Sequence, residues 1–272
     1  MKEETKAVHV GVYKDKQYNS VSTPIYTAST FYSTELDSPM EFDYTRSGNP
    51  TRRAFEENLA ALEEGVDAVA TSSGMSATTC TLFALLGTGD HLITCKEIYG
   101  GSHRLFAHIA PRMGIEVSFL EDLNNLEALK QTIKSNTRLI WLETPSNPLL
   151  KITDIAAVSK TVKAINPNII VAADNTFMSP CFQKPLTLGC DIVMHSTTKY
   201  VGGHSDLIGG AIISKTEQLA KKVYSFANAT GIAASPFDSW NGLKGLKTLP
   251  LRMKAHQQNA IKLATFLEKH LL

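Results

Sequence analysis

From Thr51 onward, short and continuously apolar runs alternate with longer stretches whose apolar residues recur every three or four positions. Phe55, Leu59 and Leu62 share one face of a helix predicted over 53–64, which Gly65 stops. Asp67–Ala70 reads as a short strand, and Ser72-Ser73-Gly74-Met75 turns into a helix that reaches Leu86. Gly87–Asp90 ends it, and the beat continues: strand 91–94, helix 102–113, strand 115–119, helix 123–133, strand 137–142. A helix over 153–165 and strands at 169–173, 190–195 and 210–213 follow. Residues 237–246 read as a helix, and a long amphipathic helix runs from about Leu251 to Leu271 with no strand after it. Apolar strands alternating with amphipathic helices predict an α/β fold, its mostly parallel sheet covered on both faces.

Residues 1–50 lack this periodicity. Their Ser, Thr and Pro content and their aromatics (Tyr26, Phe31, Tyr32, Phe42, Tyr44) predict an extended arm anchored by hydrophobic contacts. The charged start, Met1 to Lys6, has no apolar core after it, so no signal peptide is expected there. No stretch approaches the roughly 20 apolar residues a membrane span needs. A net charge of +1 without a basic run argues against nucleic acid and membrane surfaces as partners. Of the four cysteines (Cys80, Cys95, Cys181, Cys190) no two form a CxxC, so buried thiols are expected. The eight histidines form no HExxH, so no metal is expected. The expected compartment is the cytoplasm.

In a parallel α/β sheet, ligands gather at the carboxyl ends of the strands. The predicted strands place Asp174, Ser196, Lys199 and the Ser73-Gly74 turn there. Ser196-Thr197-Thr198-Lys199 sets a lysine beside small hydroxyl residues and ahead of Gly202-Gly203, away from other charges. Such a lysine suits an imine with the aldehyde of pyridoxal 5'-phosphate (PLP), and once released it can shuttle protons at substrate carbons. Asp174 follows Ile-Ile-Val-Ala-Ala, where an unpaired carboxylate is costly to bury, and it suits the cofactor's ring nitrogen, with Thr176 beside it as a further contact. Backbone N–H groups at Gly74 and Met75, with the hydroxyls of Ser196 and Thr198, suit the phosphate. Tyr99 follows a strand and could stack on the ring or be a core tyrosine. Tyr44 and Arg46, two apart in a loop expected to be extended, would form a phosphate clamp, and Asn147 could reach the phenolic oxygen. The simpler roles for these three are a solvated loop arginine with its tyrosine and a turn asparagine beside proline.

Taken in order, six segments resemble the Cys/Met-metabolism (transsulfuration) family of PLP enzymes: Tyr44–Thr51, Ser73–Met75, Tyr99–Gly101, Glu143–Pro148, Asp174–Pro180 and Ser196–Asp206. The resemblance runs from about Tyr26 through Arg252. It implies the aspartate-aminotransferase-like fold type I, with residues 51–245 as the PLP-binding large domain. It also implies a Schiff base at Lys199, a pyridinium partner at Asp174, and Tyr99 as ring stacker and as base toward the incoming amine. Tyr44 and Arg46, within the arm of residues 1–50, would reach a neighbouring subunit's phosphate. That requires at least a dimer, and family members are usually tetramers.

Gly101, where methionine γ-lyases have cysteine, and Phe237-Asp238-Ser239 ahead of Gly245–Leu249 resemble the cystathionine γ-synthase and γ-lyase branch. The resemblance therefore implies chemistry at the γ-carbon of a sulfur amino acid or an O-acylhomoserine, with cystathionine β-lyase or O-acylhomoserine sulfhydrylase as alternatives. Family members continue into a C-terminal small domain that supplies an arginine for the substrate carboxylate. This sequence reaches Leu272 first, so residues 246–272 are expected to be a connecting helix toward a domain missing here. An exposed apolar face and weak turnover are then expected, and a catalytically silent PLP-binding or subunit-interaction protein is the non-enzymatic alternative. The S-x-x-K of penicillin-binding proteins also matches residues 196–199, but their S-D-N and K-T-G companions are absent.

Overall fold

Apolar side chains alternating to both faces of short strands assemble a seven-stranded sheet, in a computed structural model that describes residues 1–33, 35 and 38–270. The strands are β1 (Asp67–Thr71), β2 (His91–Cys95), β3 (Glu116–Leu120), β4 (Thr137–Glu143), β5 (Ile170–Asp174), β6 (Ile192–Ser196) and β7 (Gly210–Ser214). Their order is β1-β7-β6-β5-β4-β2-β3, and only β7 runs antiparallel to its neighbours. The sheet is thus mostly parallel, as the sequence pattern predicts.

Helices cover both faces. Val171 and Ala173 of β5 join a core with α2 (Pro50–Glu63), α6 (Ile155–Ile165) and α9 (Pro236–Leu246). Ala172 points the other way, into a core with α3 (Gly74–Leu85) and α8 (Glu217–Thr230). Trp141 and Phe106, both fully buried, meet edge-on there at 5.4 Å. Helix α2 starts three residues before its predicted position. The Asn49 side chain accepts the N–H groups of Thr51 and Arg52 at 2.9 and 3.3 Å, and Pro50 occupies the first turn.

The predicted helix over 102–113 is a single irregular stretch: α4 (Gly100–Arg104), a π turn (Leu105–Ile109) and a 3₁₀ turn (Ala110–Met113). Helix α5 (Leu126–Thr132) and a single turn, α7 (Ser179–Phe182), complete this part. The arm is not wholly extended, because α1 (Glu3–His9) is a helix whose last carbonyls are held by Asn58 of α2. Helix α10 (Leu249–Lys269) closes the described chain, and the predicted last residue, Leu271, lies outside the described residues. Leu249 and Met253 of α10 are buried, whereas Ile261, Leu263, Phe266 and Leu267 are exposed. The cysteines are free: Cys80 and Cys190 are buried, Cys95 and Cys181 partly so. No helix among the described residues is long and apolar enough to cross a membrane.

Candidate active site

The carboxyl ends of β1, β2, β4, β5 and β6 open on one cavity of about 530 Å³. Every sequence-predicted site residue except Tyr44 and Arg46 borders it: Gly74, Met75, Tyr99, Asn147, Asp174, Thr176, Ser196, Thr198 and Lys199.

One end of the cavity is the start of α3. Ser73 and Ser76 cap each other reciprocally, Ser73 Oγ accepting the Ser76 N–H at 3.0 Å and Ser76 Oγ the Ser73 N–H at 2.9 Å. Gly74 and Met75, the first two helical residues, keep N–H groups with no intrahelical acceptor. A Cβ on Gly74 would lie 2.7 Å from Ser196 Cβ, so glycine is what lets the helix start and the end of β6 close into one cradle. Donors at a helix N-terminus suit an anion. Thr198 is less available than Ser196, because its hydroxyl donates to Gly209 O at 3.2 Å and accepts the Gly209 N–H at 3.1 Å.

At the other end lie the carboxyls. Burial pushes the Asp174 acid up, against hydrogen bonds from Thr176 and the field of His195. The Thr176 N–H donates to Asp174 Oδ1 at 3.0 Å, and Thr176 Oγ1 accepts the Ser196 N–H at 2.8 Å, so Thr176 ties β5 to β6. The exposed Lys199 sits just past Ser196 on a turn closed by Gly203 N–H to Lys199 O at 2.8 Å. Arg252 of α10 clamps this turn, donating to Tyr200 O and Gly245 O at 2.8 Å each. The Tyr99 ring rests on Gly101, where an added Cβ would meet Tyr99 Cε1 at 2.4 Å and Met75 Sδ at 2.6 Å.

Sequence reasoning singles out neither Arg252 nor Glu143 as a site residue. Glu143 closes β4 in register with Asp174 and borders the same cavity. Its signal resembles that of Asp174, a carboxylate at the end of an apolar strand. Burial, and then the charge of Asp174, push Glu143 up to about 8 from its ordinary 4.5. The folded chain therefore holds a proton there between those values, and the stability this adds is lost as pH rises toward about 8. Cofactor-free protein is expected to melt at progressively lower temperature over that interval, and Glu143→Gln to flatten the slope. Parallel slopes for the two proteins in melting curves would refute the assignment.

Tyr44 and Arg46 lie elsewhere. Their segment is a turn rather than an extended loop, since the N–H groups of Ser47 and Gly48 both donate to Tyr44 O at 2.9 Å. The turn still stacks the Arg46 guanidinium 5.4 Å from the Tyr44 ring centroid. Arg46 Nη1 donates to Asn228 O at 2.7 Å, and the residue borders a different cavity, of about 590 Å³.

The sequence matches, over residues 4–271, the family described as Cys/Met metabolism PLP-dependent enzyme. The chain belongs to that family. Its relatives include cystathionine gamma-lyase of Bacillus subtilis (strain 168), 42% identical over 270 residues that cover 99% of this chain and 70% of that protein. Cystathionine gamma-synthase of Mycobacterium leprae (strain TN) is 45% identical over 267 residues, 98% of this chain and 68% of the relative. Cystathionine beta-lyase of Lactococcus lactis subsp. lactis (strain IL1403) is 46% identical over 264 residues, 97% and 68% respectively. The crystal structure of cystathionine gamma-lyase from Lactobacillus plantarum complexed with L-serine superposes with a TM-score of 0.95 at 44% identity, covering 99% of this chain and 70% of that one.

The Cys/Met-metabolism family is PLP-dependent, and the cavity fits that cofactor on its own chemistry. It offers an anion cradle at Gly74, Met75 and Ser196, a buried acid at Asp174 that a cationic ring nitrogen would satisfy, and an amine at Lys199.

Proposed function

We propose that this enzyme acts at the γ-carbon of a sulfur amino acid or O-acylhomoserine, as cystathionine γ-synthases and γ-lyases do. The observation that carries the reading is the convergence of Lys199, Asp174, Tyr99 and the α3 cradle on one cavity in a chain of this family. When bound, the cofactor supplies an aldehyde for the substrate amine and a ring that withdraws electrons from the α-carbon.

In this reading the chain's own groups do the rest. Lys199 would hold the cofactor's aldehyde carbon through Nζ until the substrate amine takes its place, and the freed amine would move protons among the substrate's α-, β- and γ-carbons. Asp174 would fix the ring nitrogen and, once ionised, keep that nitrogen protonated. The Tyr99 ring would cover one face, and its hydroxyl would take a proton from the incoming amine. Asn147 would hold the phenolic edge and Gly74, Met75, Ser196 and Thr198 the phosphate, while Thr176 braces Asp174 against Ser196.

Tyr44 and Arg46 complete the phosphate site of a second subunit, in a homodimer at least and a tetramer of two dimers by family resemblance. Their stacking as a pair outside their own chain's cavity supports this. The arm, residues 1–50, is then an intersubunit element, residues 51–245 the cofactor domain, and 246–272 a connecting helix. The role proposed with it is metabolic, on a small-molecule amino acid, and the compartment proposed is the cytoplasm.

The 46% identity to a cystathionine β-lyase keeps β-cleavage as the second reading. Cystathionine and purified protein with added PLP decide between them. Either cleavage consumes one water: on the γ side it yields cysteine, 2-oxobutanoate and ammonia, and on the β side homocysteine, pyruvate and ammonia. In the synthase direction, O-acylhomoserine and cysteine give cystathionine and the free acid. Pyruvate as the main keto acid would overturn the γ reading, and no product in any assay would leave the silent PLP-binding alternative standing.

A further inference from the structure

Two glutamates tie the loops beside the cavity to each other in opposite directions. Glu143, at the end of β4, reaches across to the loop after β2, where its Oε2 accepts the Tyr99 N–H at 2.8 Å. Its Oε1 accepts the Asn147 N–H of its own loop at 3.0 Å. Glu97, in the loop after β2, reaches back the other way. Its Oε1 accepts Ser146 Oγ–H at 2.7 Å and the Leu149 N–H at 2.9 Å, and its Oε2 pairs with Lys151 Nζ at 3.1 Å. Ser146 is itself buried and receives the Lys151 N–H at 3.0 Å, so the second loop is closed on itself where Glu97 grips it.

We propose that Glu143 and Glu97 form a crossed clasp that positions Tyr99 and Asn147 against the cofactor. The inference rests on the roles given to Tyr99 and Asn147 in the proposed function. Side-chain packing alone leaves Tyr99 underdetermined, for it is 44% exposed and its ring rests on Gly101 and Met75. Its backbone, by contrast, is held by a carboxylate rooted in a central strand. Glu97 is the ionised member, its carboxylate held below its usual range because Ser146, Lys151 and Leu149 outweigh the burial that opposes them. Glu143 is the member that keeps its proton longer, and either form of a carboxyl accepts two N–H bonds. A shift of about 1 Å in a stacking or edge group is enough to cost roughly a hundredfold in rate, which is the scale on which such a clasp matters.

Two readouts test it in the full chain. In cofactor-free protein, Glu143→Ala is expected to speed hydrogen exchange at the Tyr99 and Asn147 amides about tenfold or more, the worth of one hydrogen bond to a carboxyl, with the α2 and α6 amides unchanged. In PLP titrations the same variant should raise the dissociation constant by about tenfold, and Glu97→Gln by about threefold. Glu143→Gln, which keeps one acceptor, should fall between wild type and Glu143→Ala in both. Adding Glu143→Ala to the Tyr99→Ala, Asn147→Ala double variant should change PLP affinity by less than about twofold, because the side chains that the clasp positions are gone although their backbone N–H groups remain. Unchanged exchange at Tyr99, or an undiminished affinity loss in the double-variant background, overturns the clasp. If Glu143→Ala does not fold, Glu143→Gln carries both readouts alone. Faster exchange in a protein whose wild type does not bind PLP would uphold the clasp and defeat the proposed function instead.

Discussion

Lys199→Ala is expected to abolish covalent retention of the cofactor and to cut turnover by at least about 10²–10⁴, the usual worth of a positioned acid–base group. Two functions vanish together: the amine that holds the aldehyde, and the proton carrier at the substrate carbons. The α3 cradle and Asp174 remain, so PLP still binds, reversibly and with the spectrum of the free aldehyde. The turn itself is closed by backbone bonds and by Arg252, none of which uses the lysine side chain, so the fold is retained. Borohydride reduction followed by peptide mapping reads the result, with label on the Lys199 peptide in wild type and none in the variant. A labelled lysine in Lys199→Ala, or turnover within about tenfold of wild type, would remove Lys199 from its role.

Asp174→Asn separates activity from stability. Asparagine can accept the Thr176 N–H as the acid does, but it cannot carry the charge that holds a pyridinium proton. Loss of a preorganised charge of this kind is expected to lower kcat by roughly 10²–10³. The effect on the cofactor-free protein has the opposite sign. Burial raises the Asp174 acid, so ionising it with rising pH costs folding free energy, and asparagine escapes that cost. Cofactor-free Asp174→Asn should therefore melt no lower than wild type, and above it in alkaline buffer, while kcat collapses. A variant that melts well below wild type and loses activity only in proportion would show that Asp174 is structural.

The strands were legible because each is a short apolar run bounded by polar or glycine residues, and a run that fills both cores has few other ways to be buried. Asp174 was legible for a related reason, since a carboxylate at the end of such a run needs a partner, and Lys199 because small hydroxyl residues and a glycine pair, not other charges, surround it. What stayed hidden depends on contacts distant in sequence. Helix α1 has seven residues, too few for a period, and it is held by Asn58 from another helix. The clamp of Arg252 on the Lys199 turn joins positions 52 residues apart, and nothing local to either announces it. Thr198 reads as a phosphate ligand from its place beside Lys199, and nothing local announces that its hydroxyl also bonds Gly209. Helix α8 is a different case. Thr216 caps its start, Gly231 its end, and Ala220, Val223 and Ala227 mark its buried face, so signals for a helix over 217–230 do stand in the sequence.

The reversed strand β7 has a consequence for which substitutions the protein can accept. Running against its neighbours, β7 begins where they end, and Gly210 pairs with both Thr71 and Ser196. A Cβ on Gly210 would lie 2.2 Å from Ser73 O, and one on Gly209 2.4 Å from Thr197 Oγ1. The two glycines form a bare strip of backbone wedged between the α3 start and the lysine segment, and they bear no reactive group. Their intolerance to replacement is set by the direction of a strand, so these positions should behave as fixed in any mutational scan, even one scored on folding alone.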